Sequence, residues 1–176
     1  AAASADIRRI LRSRSRYEVA NNSYAKGIVL TLANYVVGTG PRLQMLTDDP
    51  EANRLIEKEF MRWATGIGLA HKLRSMRIAQ CESGEVFGLL ATNPRLDLPG
   101  QLDLRLSEAA QGTTPFLTPS GESNVVDGIL FDDFGNPLVY YVLRRHPGDS
   151  AFRSAGIEFG VVAAEAIIHL YRAQRP

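Results

Sequence analysis

The spacing of apolar positions changes once along the chain. Over the first half it is helical. Ile7, Ile10 and Leu11 recur at helical spacing among arginines, which predicts a short amphipathic helix over residues 5–16. A second helix is predicted from a cap at Asn22 or Ser23 to about Val37, with Tyr24, Ile28, Leu32 and Tyr35 or Val36 along one side. Gly38 ends it, because glycine accepts the left-handed conformation that closes a helix. The third helix has the strongest signals. Asp49 caps it, Pro50 occupies the first turn, Glu51 complements the positive end of the dipole, and Leu55, Ile56, Phe60 and Trp63 form its apolar stripe up to Thr65 and Gly66. A fourth covers about 68–82, with Leu69, Leu73, Met76 and Ala79 or Gln80 at repeat positions and Gly84 as its stop.

After Gly84 the period shortens. Val86 to Leu90 predicts a buried strand, and Leu102, Leu104 and Leu106 alternate with Asp103 and Arg105 as a half-buried strand does. Residues 112–123 are rich in Gly, Thr, Pro and Ser and predict a loop. Residues 125–131 and 138–144 predict two apolar strands of a hairpin, joined by the turn chemistry of Asp132 to Pro137. HPGD, from His146 to Asp149, predicts a second turn, and residues 166–172 a last strand. Helices first and antiparallel strands afterwards define an α+β chain, with a helical N-terminal portion, 1–84, and a β-rich portion, 85–176.

Composition adds two constraints. The 176 residues are 45% apolar, enough to bury a core. Lys+Arg is 20 against 19 for Asp+Glu, but the balance is uneven, since Arg8, Arg9, Arg12, Arg14 and Arg16 face only Asp6 in the first sixteen positions. Such an arm contacts nucleic acid or an acidic protein surface, or else it is a solvated helix face beside a subunit boundary. Arginine outnumbers lysine heavily, which suits planar, multi-donor contacts. Cys81 is alone, so the chain holds no internal disulfide, and no apolar run is long enough to span a bilayer. The abrupt start and the stop just after a strand-like run fit a fragment of a longer chain.

Motif chemistry is sparse. In NYVVGTGPR, residues 34–42, Gly38 and Gly40 are two apart, no Lys-Ser or Lys-Thr follows, and Pro41 lacks an N–H donor. The stretch therefore fails the phosphate-loop pattern, and Leu43 fails the dinucleotide one. His71, His146 and His169 have no second histidine at metal-ligand spacing, and Glu165 and His169, four apart, stand far apart if 166–171 is a strand. Cys81 sits at a helix C-terminus beside Glu82 and Glu85, an environment that disfavours a thiolate. Ser120 and Ser123 do not form a nucleophile elbow, and the hairpin accounts for Asp132 and Asp133 without a cation. No catalytic constellation emerges, and neither enzyme activity nor a cofactor is expected.

Several separated stretches, in order, resemble one family. They are ANNSYAKG (20–27), NYVVGTGPRLQ (34–44), the helix carrying Asn53, Ile56, Glu57, Phe60, Trp63 and Ala64, Arg77 followed by ESGEVF (82–87), VDGILFDDFGNPLVYY (126–141), HPGD (146–149) and IIHLY (167–171). Together they resemble lambda-type bacteriophage portal proteins, specifically the N-terminal, wing-region part, without the channel-lining stem and clip. The stretch 107–121 departs from the family pattern. The resemblance implies a structural subunit of a ring, expected to be dodecameric, at one capsid vertex. It also implies duplex DNA in the channel during packaging and ejection. The implied partners are the major capsid protein, the terminase large subunit and the head-tail completion protein. The implied location is the virion, with the host cytoplasm during assembly. The alternative is a basic DNA-binding module that uses Arg8 to Arg16 on phosphates.

Overall fold

In a computed structural model the described residues are 5–98, 100–108, 125–143 and 159–171. The loop 112–123 and the HPGD turn lie outside them. Four helices come first: α1 (Ala5–Asn21), α2 (Ser23–Val37), α3 (Pro50–Gly66) and α4 (Leu69–Ser83). Among the described residues seven strands follow: β1 (Glu85–Thr92), β2 (Leu102–Glu108), β3 (Val125–Val126), β4 (Ile129–Phe131), β5 (Pro137–Leu143), β6 (Phe159–Ala163) and β7 (Ile167–Tyr171). All pairings are antiparallel, so the chain is α+β.

The helix boundaries have local causes. Asn22 is extended, and its side-chain oxygen accepts from the N–H groups of Tyr24 at 3.0 Å and Ala25 at 3.4 Å. That satisfies two orphan donors of α2 and separates it from α1, which runs five residues beyond the predicted end. Asp49 caps α3 in the same way, accepting from Glu51 N–H at 2.9 Å and Ala52 N–H at 3.1 Å. Gly38 closes α2 with φ 54° and ψ −126°. This is a positive-φ state outside the left-handed helical well that the sequence reading assigned to it, and it suits glycine alone.

The Gly-Thr-Gly bend now has a packing explanation. A Cβ on Gly40, whose φ is +97°, would stand 2.9 Å from the Cβ of Ala70, so α4 requires glycine there. Arg74 of α4 donates to the Gly38 carbonyl at 3.1 Å. The bend is a backbone-to-helix docking point.

The strands form two sheets, in the order β2-β1-β7 and β3-β4-β5-β6. Alternation along β1 sends Val86 to one face, where it joins Ala64, Ile67, Leu69, Met76 and Leu104 in a core under α3 and α4. Phe87 points to the other face and packs with Ile129 and Tyr140 of the second sheet. The first sheet is therefore a middle layer, with helices on one side and the second sheet on the other. The Trp63 indole N–H donates to the Leu102 carbonyl at 2.7 Å and ties α3 to β2.

Several expectations need correction. Leu102 and Leu106, expected to share the buried face of their strand with Leu104, are exposed, as are Ile10 and Leu11 of α1 and Leu55 and Ile56 of the α3 stripe. Residues 125–131 are not one strand. Asp127 and Gly128, at φ 53° and 80°, turn the chain between β3 and β4, and the Asp-Gly pair is the sequence signature of such a two-residue turn. Strand β6 was not expected; a 3-10 turn at Ala164–Ala166 separates it from β7 and carries the chain from the second sheet to the first. The apolar side of α2 faces solvent: Tyr24, Ile28, Leu32 and Tyr35 are exposed, and Val29 and Ala33 are the buried residues. α2 packs on α1 and α4, burying Val29 and Ala33 and leaving its large apolar residues outside.

Candidate functional site

The arginines of α1 divide by helical phase. Arg8, Arg12 and Arg16 recur every four residues and so share one face. That face is turned inward. Arg8 pairs with Asp127 at the β3–β4 turn, and Arg12 pairs with Glu85. Arg12 also donates through Nε to the Ser83 carbonyl at 3.0 Å, and Arg16 donates from Nε and Nη2 to Ser83 Oγ at 3.0 and 2.9 Å. Ser83 and Glu85 flank Gly84, where α4 gives way to β1. The arginine face thus binds the helix-to-strand junction and caps the last turn of α4. Arg9 and Arg14 lie on the exposed side of α1.

Glu85 is the centre of this network. Its second oxygen accepts from His169 Nε2 of β7 at 3.0 Å. His169 is the cross-strand neighbour of Phe87, and their rings lie 4.5 Å apart. The Tyr171 ring is also 4.5 Å from His169, and Tyr140 meets it edge-on. Burial pushes the Glu85 carboxyl up, but the His169 hydrogen bond, with the Arg12 and His169 charges, more than offsets this and holds it below its ordinary 4.5. Burial also moves the Tyr140 hydroxyl up, here above its ordinary 10.0, with Tyr171 and Glu85 adding to the effect. Glu165, the residue weighed as a partner of His169, sits in the 3-10 turn, and Glu85 takes that place. The sequence separation of 84 residues hid the pair.

The hairpin carboxylates have different roles. Asp132 accepts from the N–H groups of Phe134 at 2.9 Å and Asn136 at 2.7 Å and from the Asn136 amide at 2.9 Å, which shapes the turn and lowers its pKa. Asp133 is exposed at the tip. Among the described residues no group of His, Cys, Asp and Glu is arranged to hold a metal ion. Cys81 is half-buried on α4.

An open groove of about 350 Å³ lies between α3 and the segment before it, lined by Arg42, Leu43, Arg54, Glu57, Lys58 and Met61. Glu57 accepts from Met45 N–H at 2.8 Å and anchors that segment. Three cations therefore surround an apolar floor of Leu43 and Met61. The i, i+4 spacing of Arg54 and Lys58 is visible in the sequence, but only the fold brings Arg42 beside them.

These side chains hold elements of the fold together. All 176 residues match the family described as phage portal protein, lambda family, and the chain belongs to that family. It is also 24% identical over 188 residues to a probable portal protein of Halomonas phage phiHAP-1, a match that takes in 94% of the chain. The chain spans about a third (35%) of the length of that relative.

Proposed function

We propose that this chain is the N-terminal, wing-side part of a portal subunit that assembles into a ring at a capsid vertex. The observation that carries the reading is the family match along residues 1–176. The outward apolar stripe of α2, from Tyr24 to Tyr35, supports it, because contiguous apolar surface on a folded chain marks an interaction site. In this reading the helical portion, 1–84, and the strand portion, 85–176, belong to a larger subunit whose remaining length lines the channel. Duplex DNA passes through the ring during packaging and ejection. The capsid protein, the terminase large subunit and a head-tail completion protein dock on its faces. The role is structural, and energy for packaging comes from the terminase. In this reading Arg9 and Arg14, on the exposed side of α1, contact a neighbouring subunit or DNA. The inward engagement of Arg8, Arg12 and Arg16 counts against a free DNA-binding arm.

Electron microscopy of the protein expressed from its complete reading frame tests the proposal. Rings with a central hole wide enough for duplex DNA are expected. Monomers or small dimers at high concentration refute it.

A further inference from the structure

Two surface features of this chain are complementary and cannot meet within one molecule. The first is the basic groove on α3. Arg54 and Lys58 stand one turn apart, where like charges repel, and Arg42 adds a third positive charge from the preceding segment. None of the three forms an ion pair among the described residues, and the carboxylate in the groove, Glu57, is engaged with Met45 N–H. Glu57 offsets one of the three charges, and the groove keeps a net positive charge beside the apolar Leu43 and Met61.

The second is the tip of the β4–β5 hairpin. Phe134 is 91% exposed, the most exposed large apolar side chain among the described residues. The turn fixes it there: Asp132 accepts its N–H, and Gly135, at φ 82°, closes the bend. Asp133, next to it, is exposed and forms no ion pair among the described residues. A rigid tip thus presents one aromatic ring beside one carboxylate. The groove presents an apolar floor beside cations.

We infer that the Asp133-Phe134 tip of one copy of this chain docks into the Arg42, Arg54 and Lys58 groove of the next. The Phe134 ring covers Leu43 and Met61, and the Asp133 carboxylate pairs with Arg54 and Lys58. The layering requires two molecules. The groove belongs to the helical layer on one side of the β2-β1-β7 sheet, and the hairpin belongs to the second sheet on its other side. A contact between unlike surfaces on opposite sides of a subunit is head-to-tail, the kind that closes into rings. The contact presupposes the ring proposed above and names a surface that would hold neighbouring subunits together.

The test uses the full-length subunit and reads the concentration at half-assembly by mass photometry. Asp133→Arg, Phe134→Ser and Lys58→Glu are each expected to raise it by about tenfold, as the loss of a principal interface contact does. Combining Asp133→Arg with Lys58→Glu is expected to restore assembly to within about threefold of wild type, as reciprocal charge exchange across a contact does. Independently, mixing a Phe134→Cys subunit with a Met61→Cys subunit is expected to give a cross-link between positions 134 and 61 under oxidation. Normal rings from every variant, with no such cross-link, overturn this contact and leave the portal reading standing. Failure of the wild-type chain to form rings overturns both. Duplex DNA binding that weakens with Arg54→Glu or Lys58→Glu, while assembly is unchanged, assigns the groove to phosphate and also overturns the contact.

Discussion

Replacing Glu85 with Gln tests the account of how α1 is held. The carboxylate receives Arg12 from α1 and His169 from β7, so one side chain joins the first helix to the last strand. The Arg12 and Glu85 side chains are 25% and 27% exposed, so solvent screens the pair only in part. Charge-assisted hydrogen bonds of this kind contribute about 1.5–3 kcal/mol each, and a glutamine keeps one acceptor while losing the charge. The expected net loss is about 2 kcal/mol. Local opening of β7 and α1, read by amide hydrogen exchange on the full-length protein, is expected to speed up by about thirtyfold. The acid dependence has a defined sign. Because the Glu85 carboxyl titrates below 4.5 when folded, its contribution is complete above the unfolded value and disappears as the pH falls through the folded one. Protection of β7 is therefore expected to fall on acidification in the wild type and to lack that component in Glu85→Gln. A change of less than about threefold in exchange at neutral pH would refute the reasoning, since it corresponds to well under 1 kcal/mol.

Two glycines are expected to respond with opposite signs when changed to alanine. Gly40→Ala meets Ala70 and a positive φ, and a loss of about 2 kcal/mol in chemical denaturation is expected. Gly27 lies inside α2 with open space around it, so Gly27→Ala is expected to stabilise by up to about 1 kcal/mol. A loss in both would show that the bend is not what distinguishes them. Asp49→Ala removes two accepted N–H bonds at the start of α3 and is expected to cost about 1 kcal/mol, with faster exchange confined to the first turn; Asp49→Ser is expected to recover most of it.

What the sequence determined by itself were the features with local causes. The caps at Asn22 and Asp49 and the stop at Gly84 depend on residues within one or two turns of each other, so their chemistry is written contiguously. The order of helices before strands, and with it the α+β class, followed from the change of period. The motif series was also legible, because family likeness is carried by sequence. Tertiary structure decided which surfaces meet. The apolar side of α2 signalled burial by its pattern, yet Val29 and Ala33 pack inward, because the positions of α1 and α4 choose which side of α2 is covered. Five arginines in sixteen residues looked like one basic arm until helical phase and the position of the α4–β1 junction turned Arg8, Arg12 and Arg16 inward. Glu85 found His169 because β1 and β7 pair, and Arg42 joined Arg54 and Lys58 because the chain folds back along α3. In each case the deciding interaction links residues distant in sequence, and only the folded chain brings such residues within the few ångströms over which charge and packing act.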